Sequence, residues 1–394
     1  MRALSEVVRR CRGELVAIRR ALHRRPEPGF RERATAALIR SRLRRWGIEH
    51  RAVCGTGTVA LVRGGRPGPT ILIRADQDGL PVQEKTGLLF ASRNPGWMHA
   101  CGHDGHVAIA LVAARILQEG RSDLRGNVKF MFQPAEEGPG GAGPMIRAGV
   151  LRSPAVEAAF ALHLWNDLPT GRVGITPGPV FASADEFRMT VEGRGGHGAA
   201  PHQTVDPVAA AAHVLTACLA VPGRRADPVR GAVVSFGRIQ GGTRQNIIPD
   251  EVVLEGTIRA FEDPVRRLLL REIPRAARRV ASAFGARVRF ELQQGYPPTV
   301  NDPEMAGRVG ELVREAFGKR CLAGGIRSMG AEDMSLVLRE VPGCYLFLGS
   351  GGRRPAAPHH SARFDFAEDA LPLGVELWVR LAWRLLGDAE ESRL

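Results

Sequence analysis

Five short apolar runs constrain this chain more than any other feature. They are TVALV (58–62), TILIRAD (70–76), NVKFMFQ (127–133), EAAFALHL (157–164) and CYLFLGS (344–350). Runs of this length with little polar alternation belong to strands covered on both faces. HVAIALVAARIL (106–117) is longer and nearly all apolar, which predicts a buried helix. Strands alternating with helical patterns predict an α/β layer around a mainly parallel central sheet flanked by helices. Residues 14–45 read as an arginine-rich helical region, broken at Arg25-Pro26-Glu27-Pro28-Gly29.

The middle of the chain has a different rhythm. ASADEFRMTVEGRGG precedes a helical stretch that starts after Asp206-Pro207. AVVSFGRIQGG, EVVLEGTIRAF, a second helical stretch (Pro264 to Ala283) and RVRFELQQG follow. The order is βαββαβ, a ferredoxin-like split unit. The expected organisation is an inserted domain at 184–295, with 1–183 and 296–394 forming one discontinuous α/β domain. No internal repeat is evident, and the Gly/Pro-rich segment GPGGAGP (138–144) reads as a loop.

Composition removes several classes. The 394 residues predict two to three domains. No apolar run reaches the roughly 18 residues that a membrane span needs, so no membrane partner is expected. The N-terminal segment is basic and amphipathic but carries Glu6 and Glu14 and has no continuous apolar core, which reads as a surface helix rather than a targeting peptide. The net charge of +14 raises the question of nucleic acid. Of the 55 basic side chains only Lys85, Lys129 and Lys319 are lysines; the arginines are spread along the chain among acids. With no helix-turn-helix or RNA-reading aromatic motif, the charge predicts general polyanion attraction and no specific nucleic-acid partner. Cys11, Cys54, Cys101, Cys218, Cys321 and Cys344 form no CxxC pair, so a reducing, cytoplasmic setting is the default.

The polar residues gain meaning from where they fall on this map. Asp76 and Asp78 end one strand, Glu136 and Glu137 follow another, His163 lies at the end of a third, and MHACGHDGH (98–106) precedes the buried helix. Ligands of open α/β sheets bind outside the carboxyl ends of the strands. Four segments therefore bring metal-type ligands to one edge. Singly each has an ordinary reading: an incidental Cys-x-His pair, a solvated Glu-Glu turn, a core histidine, and an exposed His359-His360 pair. Yet a thiol ahead of a helix ionises more readily, and neighbouring carboxylates can divide labour between ligation and proton transfer.

RADQDGLPVQEKTG, MHACGHDGH, FQPAEEGPGGA, ALHLW, GRGGHGAAPHQTVDP, NIIPDEVVLEGTIR and HSARFDFAEDALPLG occur in order between residues 74 and 374, within a likeness that runs from about residue 14 to 380. Together they resemble the M20 metallopeptidase-like amidohydrolases, in the branch of aminoacylases, hippurate hydrolases and auxin-conjugate hydrolases. The resemblance implies two divalent metal ions per subunit, bridged by Cys101. His103 and His163 would complete one ion's protein ligands, and Glu137 and His360 the other's. His360 rather than His359 matches the family pattern, although Ala362 replaces a common proline. Glu136 would be the general base acting on a metal-bound water, and His197 on the insert the oxyanion donor. Asp78 would orient a metal-binding histidine. Asn246 and Arg259 would contact the substrate carboxylate, with a turn cap and a surface arginine as their ordinary readings. Glu332 and Asp333 in MGAEDMS match a site-wall motif whose role is open. Asp76 stands where related branches have a histidine ligand and is not assigned as one. Gln77 and Gly79 replace the usual Met and Ala without removing a ligand.

Thiolate and imidazole suit zinc, manganese, cobalt or nickel, and five ligands shared by two ions leave room for water, as a catalytic centre requires. The expectation is a cytoplasmic hydrolase of N-acyl amino acids (N-acetyl, benzoyl or related). Its insert would serve as lid and dimerisation surface, in a homodimer or higher homo-oligomer. The alternatives are a dipeptidase or carboxypeptidase on the same scaffold, a basic nucleic-acid-binding protein, and an inactive scaffold.

Overall fold

The structure is a computed structural model and describes residues 2–352 and 357–387; positions 353–356 of the Pro/Gly-rich stretch lie outside the described residues. The chain forms two compact units. One comprises Met1–Gly178, Val300–Ile326 and Leu336–Leu394, the other Pro179–Thr299 and Arg327–Ser335.

The five apolar runs all become strands of one eight-stranded sheet in the first unit. At its centre, Arg125–Gln133, Arg66–Asp76, Ala158–Pro169 and Gly343–Gly351 lie side by side and parallel. Gly57–Arg63 and Glu49–Val53 extend one edge antiparallel. Residues 159–164 of the strand Ala158–Pro169 are buried, consistent with a sheet covered on both faces. The helix His103–Glu119 buries 14 of its 17 residues, leaving Arg115, Gln118 and Glu119 less covered. It packs with Arg2–His23 and Leu371–Leu386. Ile109 and Leu111 are fully buried there, and burial of each such side chain contributes about 1.5–3 kcal/mol. The N-terminal helix is more than a surface helix: Leu15 and Ile18 enter the same core, and Arg19 is fully buried. The helical region does break at the Pro-Glu-Pro-Gly segment and resumes as Arg33–Arg45.

The second unit contains the six elements of the βαββαβ order. Asp185–Glu192, Ala232–Gly241, Glu251–Ala260 and Arg287–Gln293 form a fully antiparallel sheet, in the spatial order second, third, first, fourth. Helices Pro207–Arg225 and Asp263–Ala283 pack on it around Val214, Leu254, Leu269 and Ile273. Asp206 caps the first helix through the N–H groups of Val208 and Ala209, with Pro207 in its first turn.

Candidate metal centre

Strand register explains why distant residues meet. Asp76 pairs with Gln133, and Arg74 pairs with Ala161, so Asp76 at the end of one strand and His163 midway along its neighbour lie at nearly the same level. Beyond Gln133 the chain turns and presents Glu136 and Glu137. On the other side Gly102, with φ of 94°, makes a left-handed turn that any side chain would resist. That turn sets Cys101 before the helix and His103 in its first turn.

The result is two overlapping donor sets. Cys101, His103 and His163 form one; Cys101, Glu137 and His360 form the other; in each the donor atoms lie within 4.8 Å of one another. Cys101 Sγ is 3.3 Å from His163 Nε2. His360 Nε2 is 3.1 Å from Glu137 Oε1. Glu136 stands beside both, its Oε2 4.0 Å from His103 Nε2.

The histidine tautomers follow from their partners. His103 Nδ1 faces the Asp78 carbonyl at 3.1 Å and His163 Nδ1 the Leu164 carbonyl at 2.7 Å. A carbonyl only accepts, so both Nδ1 atoms carry a proton and both Nε2 atoms face the donor sets. The Asp78 side chain lies close to His103 and Glu137: its Oδ1 is 3.3 Å from His103 Nδ1, and its Oδ2 accepts the main-chain N–H of Glu137 at 3.0 Å.

Electrostatics tests whether a cation fits. Burial, then Glu137 and Glu136, push the Cys101 thiol well above its usual range. Burial pulls His103 down, yet Asp76, Asp78 and Glu137 overcome this and raise it to about 10. Burial, followed by the rings of His106 and His359, lowers His163 well below the ordinary histidine range. His103 Nε2 is buried without a hydrogen-bond partner, and such an orphan is costly. A soft thiol, the neutral imidazole of His163, the imidazole of His103 whose Nε2 proton a cation would displace, and adjacent carboxylates suit a pair of borderline divalent cations.

His359 is placed differently from its neighbour. Its Nε2 donates to the Leu164 carbonyl at 2.9 Å, and its ring stacks on Trp165 at 4.9 Å. His360, with φ of 65°, turns the other way and reaches Glu137. In the second unit, His197 is exposed and pairs with Ile247 in a two-stranded ribbon. Its Nδ1 accepts from Ala199 N at 3.0 Å, leaving Nε2 as the protonated nitrogen. Asn246 is adjacent, its carbonyl accepting from Gly198 N. Arg259 lies on the sheet opposite Val233. Glu332 and Asp333 are buried in the second unit, and Glu332 Oε1 accepts from Met334 N.

Several supporting residues escaped the sequence reading. His106 Nδ1 donates to Asp76 Oδ1 at 2.6 Å, while its Nε2 accepts from Leu164 N at 2.9 Å. Arg74 grips the other oxygen of Asp76 and also Gln133. Asp76 thus braces two ligand-bearing segments. The three-residue spacing of His103 and His106 on a helix was the available signal. Behind them Asp104 Oδ2 accepts from Arg19 at 2.9 Å and from His23 at 2.8 Å. Glu32 reaches the turn before Glu136; its Oε1 accepts from Ala135 N at 2.9 Å. Neither contact has a local sequence signal.

Comparison with known proteins agrees with this geometry. The sequence profile of peptidase family M20/M25/M40 matches residues 72–384. Thermostable carboxypeptidase 1 of Saccharolobus solfataricus is 38% identical over 379 residues, spanning 94% of this chain and 95% of that protein. N-acetylcysteine deacetylase of Bacillus subtilis is 38% identical over 370 residues, spanning 93% and 96%. The crystal structure of Bacillus subtilis YXEP, described as a dinuclear metal binding peptidase from the M20 family, superposes with a TM-score of 0.85 at 35% identity, covering 96% of this chain and 99% of that one.

Proposed function

The chain belongs to peptidase family M20/M25/M40 and is a hydrolase, and from that premise we propose that it cleaves N-acyl amino acids to a carboxylic acid and a free amino acid with two divalent ions. The observation that carries this reading is the sharing of Cys101 between two donor sets with Glu136 alongside. A structural centre needs no spare carboxylate next to its ligands. N-acetylcysteine deacetylase among the relatives supports the acyl amino acid class.

We assign Cys101, His103 and His163 to one ion and Cys101, Glu137 and His360 to the other. When bound, the ions supply Lewis acidity to the scissile carbonyl and make water more acidic. Glu136 takes the proton of the attacking water as its oxygen adds to the carbonyl carbon. It hands that proton to the nitrogen as the C–N bond breaks. Asp78 holds the Nδ1 side of His103 and the amide of Glu137, so ligand and base keep their orientation. His197 offers an Nε2–H to the oxyanion, and Asn246 and Arg259 bind the carboxylate of the amino-acid portion.

All six cysteines are free, and no described helix is long and apolar enough to cross a membrane. We place the enzyme in a reducing cytoplasm, as a homo-oligomer whose size sedimentation would read. The deciding experiment is amine release from N-acetyl-methionine, hippurate and dipeptides with Mn, Co or Zn, and again after chelation. Metal-restored release from the acyl amino acids is expected. Cleavage of dipeptides alone would move the reading to a peptidase, for which the related carboxypeptidase is the precedent. No release with any metal from folded, loaded protein would overturn it.

A further inference from the structure

We propose that Glu32 is a positioning residue for Glu136, acting through the main chain of Ala135; the inference rests on the hydrolytic role assigned to Glu136 above. Glu32 stands immediately before the helix Arg33–Arg45, where a side chain ordinarily caps the first N–H groups. Here Glu27 does that instead, accepting from Ala34 N at 3.0 Å and Thr35 N at 2.9 Å. Glu32 is left free to turn inward, and it is fully buried. Its Oε2 accepts from Thr56 Oγ1 at 2.6 Å and its Oε1 from Ala135 N at 2.9 Å. Among the described residues it forms no ion pair, so hydrogen bonds alone compensate its desolvation.

The group it holds is unusual. Ala135 is fully buried and has φ of 56°, the left-handed region that alanine avoids. Such a conformation persists only where the surroundings over-determine it. Glu32 supplies one constraint. Gly29 supplies another by packing so close that a Cβ there would lie 2.7 Å from the Ala135 Cβ. On the far side of Glu136, Asp78 Oδ2 fixes the amide of Glu137. Glu136 is therefore bracketed by two main-chain N–H groups, each tied to a buried carboxylate from a different part of the chain. Without Glu32 the near bracket opens, and the base swings while the ligand Glu137 stays anchored.

The test compares Glu32→Ala and Glu32→Gln in the full, metal-loaded chain. In Glu32→Ala we expect kcat to fall about 10- to 100-fold, the scale of a misplacement near 1 Å, with KM and bound metal little changed. Glu32→Gln keeps an acceptor for Ala135 N and should recover most of kcat. Should the alanine variant not fold, Glu32→Asp, with the charge kept and the reach shortened, carries the same expectation. Hydrogen exchange of the metal-free protein gives a readout apart from turnover: amides 135–137 should exchange faster in Glu32→Ala than in Glu32→Gln. An unchanged kcat in the alanine variant of an active enzyme would overturn the proposal. So would a loss matched by metal loss with exchange at 135–137 unaltered. If the wild-type chain hydrolyses no amide, the functional reading falls, while the exchange data still decide whether Glu32 holds the turn.

Discussion

Arg19→Met tests how the helix that carries His103 is held. Arg19 is fully buried, its guanidinium lying 4.6 Å from the Phe90 ring and 4.3 Å from the Phe366 ring. It reaches three carboxylates: Asp104 at 2.9 Å, Asp365 at 2.8 Å and Glu368 at 3.1 Å. Asp365 and Glu368 retain solvent contact; the Asp104 side chain has none, at 0% exposure. Burial would raise the Asp104 carboxyl, but Arg19 and then His23 outweigh it and hold it far below the carboxylate range. Methionine fills the slot between the rings without the charge. It leaves Asp104 buried with only His23, since its Oδ1 has no partner at all. Breaking such a pair from one side costs about 3–5 kcal/mol. Urea unfolding of the wild type, Arg19→Met, Asp104→Asn and the double variant measures this. The double variant should be destabilised by less than the sum of the singles, with a coupling of about 0.5–3 kcal/mol. A cost under about 1 kcal/mol for Arg19→Met, or strict additivity in the cycle, would refute the reasoning.

Three further outcomes are expected. Glu136→Ala should lose turnover by at least about 100-fold yet bind metal with unchanged stoichiometry by elemental analysis; near-normal turnover would remove Glu136 from its role. Gly29→Ala should cost about 1–3 kcal/mol by overpacking and lower kcat, because the new methyl must displace Ala135; a variant equal to the wild type in both would contradict the close packing. For His23, burial lowers the pKa, but Asp104 and Glu84 raise it from 6.5 to about 9, with His99 and Arg19 as the other facing groups. The folded value lies above the unfolded one, so this stabilisation is fully present below pH 6.5 and is lost as pH rises towards 9. At about 1.4 kcal/mol per pKa unit it amounts to roughly 3 kcal/mol, and a His23→Gln variant should show a correspondingly flatter stability profile between pH 6 and 9.

The buried strands were legible because strands covered on both faces leave unbroken apolar runs, the antiparallel Gly57–Arg63 included, and all five runs became strands of the first unit. The helix Pro303–Phe317 was not anticipated, although Asp302 caps it through Met305 N and Pro303 opens it. Its apolar residues recur at helical spacing, as at Ala306, Val309, Leu312 and Val313, but make no long apolar run. The Gly/Pro-rich segment at 138–144 is a loop through Gly141, and its last three residues open a short helix at Ala142–Arg147. Metal-type residues were legible because they fall on or just beyond buried strands and at the start of the buried helix, elements that apolar runs reveal. Their buttresses were not. Glu32 meets Ala135 across 103 residues and Arg19 meets Asp104 across 85, and nothing local marks either pair. Glu32 even has the sequence position of a helix cap.

That contrast has a physical reason. A donor set must present lone pairs to a common point, so its residues sit where regular elements end, and regular elements announce themselves by periodicity. The residues that make the set rigid must approach from outside those elements, across whatever gap the layers leave. Here the N-terminal segment meets the ligand-bearing elements through two buried acids with opposite solutions, Asp104 on the His103 helix and Glu32 ahead of the helix Arg33–Arg45. Asp104 is compensated by Arg19 and His23, and so contributes pH-dependent stability. Glu32 is compensated only by neutral N–H and O–H groups, and so is bound to geometry rather than to charge. Loss of the first should therefore appear mainly in unfolding, and loss of the second mainly in turnover.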